Sequence, residues 1–337
     1  RPSQRPAAAA GRAAPRPPGN LGCQGMKPAA PDPRAPSLRT RCAPALEQAL
    51  ARAAASLDTQ ARTALRAFVR AQLAADGGFR GRSGDGDLYY TVFGLECARA
   101  LEIDVPVEPI RRFVESRLDA SLDFVHLTCL VRCIEILAPD GAPLACGAGL
   151  SERLARHACA EGGYHRHPAR RRGSVYESFI GALAAESLRE ALPNPGGLGA
   201  ILAGLGKASG GFVNSEGWGV ASTPASAAAL LLLHELGEPL PPKSVAWLLG
   251  QQRAGGGFAA APLAPISDLL STATALHALN RIGALQGVAI DRCLDFVTGC
   301  WDDSGGFHAH AFDRRPDCEY AFYGLLALGN LVAPGGI

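Results

Sequence analysis

The run Gln252-Arg253-Ala254-Gly255-Gly256-Gly257-Phe258 decides the fold, because its end, two glycines and an aromatic ring, returns along the chain. The same tripeptide stands at Gly77-Gly78-Phe79, Gly162-Gly163-Tyr164, Gly210-Gly211-Phe212 and Gly305-Gly306-Phe307. The copies from Gly162 onward are 48, 46 and 49 residues apart, a period that belongs to repeat architectures. The gap of 85 from Gly77 to Gly162 holds two units, one of which has lost its glycines. After each signature come a polar stretch and a helical segment rich in small residues, starting near Asp87, Asp123, Val175, Thr223, Asp268 and Asp317. The start at Asp123 supplies the missing unit and brings the number to six.

A second set of helical segments precedes these, at about 58–74, 106–118, 149–160, 196–207, 241–252 and 287–299. They are amphipathic: Ile110, Phe113, Val114 and Leu118 alternate at helical spacing with Arg111, Arg112 and Glu115. The later helix of each pair, such as 225–236 or 272–279, is apolar nearly all round, as a helix enclosed on every side must be. Twelve helices in alternating exposed and enclosed pairs predict an all-α protein built as two concentric rings, an α6/α6 toroid. An open solenoid of six helix pairs is the competing architecture.

The chain has 337 residues, a net charge of +2 and 47% hydrophobic residues, enough for a large core. Residues 1–44 carry eight basic side chains against Asp32, a net of +7 that leaves −5 for residues 45–337. This head is crowded with Pro, Ala and Gly and reads as a disordered tail, with the toroid spanning 45–337. The mildly acidic body argues against nucleic acid as a partner. The longest apolar run, 225–233, is far short of the roughly 20 residues of a transmembrane segment. With no secretion signal read, the ten scattered cysteines are expected as reduced thiols in the cytoplasm.

The stretches Gln72-Leu73-Ala74-Ala75-Asp76-Gly77-Gly78-Phe79 and 252–258 resemble the Gln/Gly/aromatic repeats of squalene–hopene cyclases and protein prenyltransferase β subunits. Those families share a six-fold α/α toroid whose cavity holds an isoprenoid. Gly77-Gly78-Phe79-Arg80-Gly81-Arg82 followed by Asp87-Leu88-Tyr89-Tyr90 is similar to the prenyltransferase Gly-Gly-Phe-x-Gly-Arg and Asp-x-Cys-Tyr segments. Asp123-Phe124-Val125-His126 resembles the Asp-Phe-Tyr-His segment that supplies the zinc histidine. The resemblance implies Arg82 and Tyr90 on a diphosphate, Asp87 and His126 as catalytic groups and zinc ligands, and Tyr89 where the zinc thiolate would stand.

Cys129 lies one turn beyond His126 and can replace that thiolate, giving three ligands and an open position, or it can be a buried structural cysteine. Arg166 and Arg170, in the loop before the third enclosed helix, suit an anion at a mouth where helix N-termini gather; a solvated loop is the plainer reading. Asp268 and Asp317 read as helix caps. Tyr89, Tyr90, Phe93 and Phe124 are candidates to line an apolar cavity. The whole implies a prenyltransferase-like enzyme that binds an isoprenoid diphosphate and transfers or ionises the prenyl group, with zinc as cofactor and a protein acceptor or helical partner subunit. Two alternatives stay open: a small terpene cyclase using Asp85 and Asp87, and a non-catalytic toroid that binds lipid or protein.

Overall fold

The computed structural model describes residues 40–138 and 146–332. Among these, six outer helices alternate with six inner ones. The outer set is α2 (Thr59–Ala71), α4 (Val107–Glu115), α6 (Gly147–Ala155), α8 (Pro195–Leu205), α10 (Pro242–Leu249) and α12 (Ile290–Gly299). The inner set is α3 (Leu88–Ala100), α5 (Phe124–Leu137), α7 (Val175–Ser187), α9 (Thr223–Glu235), α11 (Leu269–Arg281) and α13 (Cys318–Leu331). No strand forms among the described residues, only isolated bridges, so the all-helical reading holds.

Those bridges explain the repeat. Each signature ring folds back on the end of its own outer helix, as in Leu73 with Phe79, Gly206 with Phe212 and Gln252 with Phe258. The ring is then buried, and at four of the five signatures its backbone N–H is taken by a hydroxyl of the following inner helix. Thr91, Ser178, Ser226 and Thr272 accept from Phe79, Tyr164, Phe212 and Phe258 at 2.8–3.0 Å. In the unit without glycines, Arg153 of α6 takes over, donating to the carbonyls of Leu118 and Ala120. The first glycine of each pair has a positive φ, which an L side chain adopts only with strain.

Ring closure is decided at the last signature. A Cβ on Gly305 would lie 2.7 Å from the carbonyl oxygen of Ala64, on α2, and Gly306 sits under the Phe68 ring of the same helix. The sixth loop therefore seats on the first outer helix, and α13 packs beside α3. The architecture is a closed toroid, not an open solenoid.

The boundary of the tail needs correction. Residues 1–39 lie outside the described residues, but Cys42 opens a thirteenth helix, α1 (Cys42–Ser56), inside the span read as disordered. It lies across the C-terminal ends of the inner helices. The Cys42 and Ala43 amides donate to Glu186 near the end of α7 at 2.9 and 2.8 Å, and the Arg41 amide to Glu235 at the end of α9 at 2.7 Å. These carboxylates satisfy N–H groups that a helix start leaves unpaired. Alanine and glycine let the backbones close up: the Ala49 carbonyl of α1 faces Gly329 of α13.

At the same end His277 is buried beside Asn330, 3.4 Å away, and burial pushes its imidazole down to about 4. A histidine neutral in the fold but free to charge in the unfolded chain, at about 6.5, favours folding only above that pH. Wild type should lose up to about 3 kcal/mol more than His277→Leu as pH falls from about 6.5 to about 4. Urea unfolding of both proteins across that range checks it, and parallel curves would refute it.

Candidate functional site

The inner helices start with an acid or serine that caps the first turn: Asp87, Asp123, Ser174, Ser222, Asp268 and Asp317 each accept from a backbone N–H two or three residues on. Neighbouring starts are stitched together. The amides of Val175, Thr223 and Leu269 donate to the carbonyls of Asn214, Ala260 and Ala309 in the next loop, at 2.8–2.9 Å. The six N-termini thus form one mouth, at the end of the toroid opposite α1.

Five of the chain's six tyrosines gather inside this mouth, on α3, α7 and α13. The Tyr89 ring meets Phe93 at 5.0 Å between centroids, and Phe93 meets Phe322 at 5.0 Å and Tyr323 at 5.9 Å. Tyr176 is 37% exposed, yet burial holds its phenol well above the ordinary value, and burial likewise raises the phenol of the half-buried Tyr323. A side chain that shows surface while its hydroxyl is heavily desolvated faces an enclosed space. Into that space the Tyr89 hydroxyl donates to Glu319 at 2.7 Å.

Burial raises the Glu319 carboxyl above the ordinary glutamate value, with Asp317 adding to the rise; the Tyr89 hydrogen bond pulls the other way. Asp317, one of the caps, is also raised by burial. Glu319 was not among the residues singled out from the sequence. An acid in the first turn of a helix reads as a match to the helix dipole. The clustering of tyrosines on three helices was the only available signal.

The expected anion site is occupied by carboxylates. Arg82 Nη1 lies 2.9 Å from Asp313 and Nε 3.3 Å from Asp317, and the guanidinium sits 5.9 Å from the Tyr320 ring centre. Arg166 is paired with the buried Glu177, and Arg170 is exposed. Tyr90 is near Arg82, and burial raises its phenol. Asp85, the other member of the supposed cyclase pair, is exposed, while Asp87 spends one oxygen on the Tyr89 amide at 2.8 Å.

The zinc reading does not fit the side chains. His126 Nε2 approaches Asp87 Oδ2 to 3.9 Å, and its Nδ1 is held by Asp123 at 3.0 Å. The third ligand fails: Cys129 is buried one turn further along α5 and does not join Asp87 and His126 in a cluster that could hold a metal. Tyr89, at the thiolate position, is engaged with Glu319. Among the described residues no three His, Cys, Asp or Glu side chains converge on a metal position.

The prenyltransferase alpha-alpha toroid domain matches residues 42–126 and 205–331, well over half of the chain. The chain belongs to this family. Its match opens at Cys42, the first residue of α1. No curated protein sequence matches the chain. Among solved structures, a protein from Actinoplanes superimposes with a TM-score of 0.54 at 16% identity, covering 81% of this chain and 98% of that one. Candida albicans protein geranylgeranyltransferase-I complexed with GGPP gives 0.55 at 12%, covering 87% and 91%. The type II terpene cyclase MstE from Scytonema gives 0.53 at 14%, covering 85% and 97%. At such identities the likeness is one of fold. Among the described residues no helix is long and apolar enough to cross a membrane.

Proposed function

We propose that this toroid is an enzyme that takes an isoprenoid chain into the aromatic space between α3, α7 and α13 and starts carbocation chemistry on it with a proton from Glu319. The observation that carries this reading is the Tyr89–Glu319 pair: a carboxyl held above its ordinary value and set against a wall of aromatic rings. The Glu319 carboxylic acid gives its proton to one carbon of an alkene. The π pair becomes the new C–H bond, the adjacent carbon is left cationic, and Glu319 is left as carboxylate. The Tyr89 hydroxyl stabilises that carboxylate, and the faces of Phe93, Tyr176 and Tyr323 suit the cation. The product cation then gives up a proton to water, its C–H pair becoming the new alkene, and a proton from solvent restores the Glu319 acid. MstE is a type II terpene cyclase, and one of its structures holds geranylgeranyl dihydroxybenzoate as substrate, so a prenyl substrate without a diphosphate has a parallel on this fold.

The second reading, transfer of a prenyl group from its diphosphate, is favoured by Arg82 and Tyr90 in the Gly-Gly-Phe-x-Gly-Arg context and by the GGPP held by the Candida enzyme. It requires Arg82 to exchange Asp313 and Asp317 for phosphate oxygens, with both carboxylates left beside the incoming anion. Calorimetry with geranylgeranyl diphosphate and geranylgeraniol separates the two. If the prenyl chain carries the binding, Arg82→Ala changes both ligands equally. A selective loss of about 1.5–3 kcal/mol for the diphosphate would favour transfer instead. Product analysis after incubation with a neutral polyprene completes the test: cyclised or isomerised products are expected, and unchanged substrate would defeat the proposal. Activity should fall as pH rises through the raised Glu319 value, because only the protonated acid can donate.

A further inference from the structure

Four large apolar side chains stand exposed on three consecutive loops of the mouth. Trp218 is 60% and Val220 61% exposed in the loop before α9, Leu263 91% in the loop before α11, and Phe312 83% in the loop before α13. The middle loop, Ala259-Ala260-Ala261-Pro262-Leu263-Ala264-Pro265-Ile266, has no charged residue at all. It is nevertheless well ordered: Arg253 donates to the Ala261 and Pro262 carbonyls, and the Thr223 amide to that of Ala260. A single exposed leucine needs no explanation, but apolar tips on adjacent loops, all at one end of the molecule, do.

We infer that this arc of the mouth docks on the surface of a lipid bilayer. The tips are separate and are flanked by exposed cations, Arg170 on one side and Arg314 and Arg315 on the other. Apolar wedges between arginines match an interface in which acyl chains lie beneath anionic headgroups. A tryptophan at the edge of the arc suits the headgroup level. The mouth is also the end toward which the aromatic space lies, so a docked toroid would receive a chain that partitions into the bilayer without passing it through water. This last link rests on the isoprenoid reading; the docking itself does not.

Flotation of the full chain with phosphatidylcholine vesicles, with and without phosphatidylglycerol, tests it in the absence of any substrate. Wild type should float with the vesicles, more strongly with phosphatidylglycerol and less at high salt. The triple variant Trp218→Ser/Leu263→Ser/Phe312→Ser should lose vesicle binding by more than about tenfold while keeping its helical circular dichroism and its melting temperature. Failure of wild type to float, or retention by the triple variant, overturns docking. If light scattering instead shows a dimer that the triple variant dissolves, the arc is a protein interface and the proposal falls. Binding of a short, water-soluble prenyl alcohol by the same variant reports separately on the interior: loss there would count against the isoprenoid reading, not against docking.

Discussion

Glu319→Gln should cut turnover of a neutral isoprenoid by about 10²–10⁴-fold, the range expected when a general acid is removed, and leave binding of the prenyl chain nearly unchanged. Gln keeps the volume and still accepts from Tyr89, so the aromatic wall stays in place and only the transferable proton is lost. Tyr89→Phe is the informative companion. Removing the hydroxyl takes away the one hydrogen bond that lowers the Glu319 carboxyl, so the acid should hold its proton to a higher pH. The pH profile of Tyr89→Phe should therefore extend further toward the alkaline side, at a reduced rate, since the carboxylate left after transfer has lost its donor. A variant lacking Glu319 that turns over normally would move the acid elsewhere, and a Tyr89→Phe profile identical to wild type would mean the pair is only structural.

Why Glu319 escaped a reading of the sequence, when Tyr89 and Phe93 beside it did not, follows from distance along the chain. The helices were legible because their signals are local: a cap such as Asp87 or Asp268, a glycine pair and a ring within a dozen residues of one another. The partners that define the site are not local. Tyr89 and Glu319 are 230 residues apart, and Arg82 meets Asp313 and Asp317 across 231 and 235. Arg82 taken with its neighbours alone is a free guanidinium suited to phosphate; closing the ring turns it into a clamp between the first and last loops. The same holds for α1. The alanine-rich stretch 42–56 has little to bury by itself and continues a low-complexity head, so composition placed the boundary at residue 44. What makes it a helix of the body is capping by Glu186 and Glu235, which lie more than 140 residues away.

Ring closure also makes the signature glycines unequal in what they tolerate, and Gly256→Ala is expected to be the most damaging small change in the fold. Gly256 has φ +96, and a Cβ there would fall 1.8 Å from the Arg292 carbonyl oxygen of α12. Gly84 is the control: its φ is +103, but nothing lies within 4 Å of the same position. Gly84→Ala therefore isolates the left-handed backbone strain, about 1–2 kcal/mol. Gly256→Ala adds to that strain the displacement of an outer helix whose Cys293 and Val297 are fixed in the core, for a total of roughly 2–5 kcal/mol. Urea unfolding of the two variants, with unchanged m-values, measures the difference. Equal losses would mean that α12 yields freely, and that the close seating of each signature loop on the next outer helix is not what holds the ring shut.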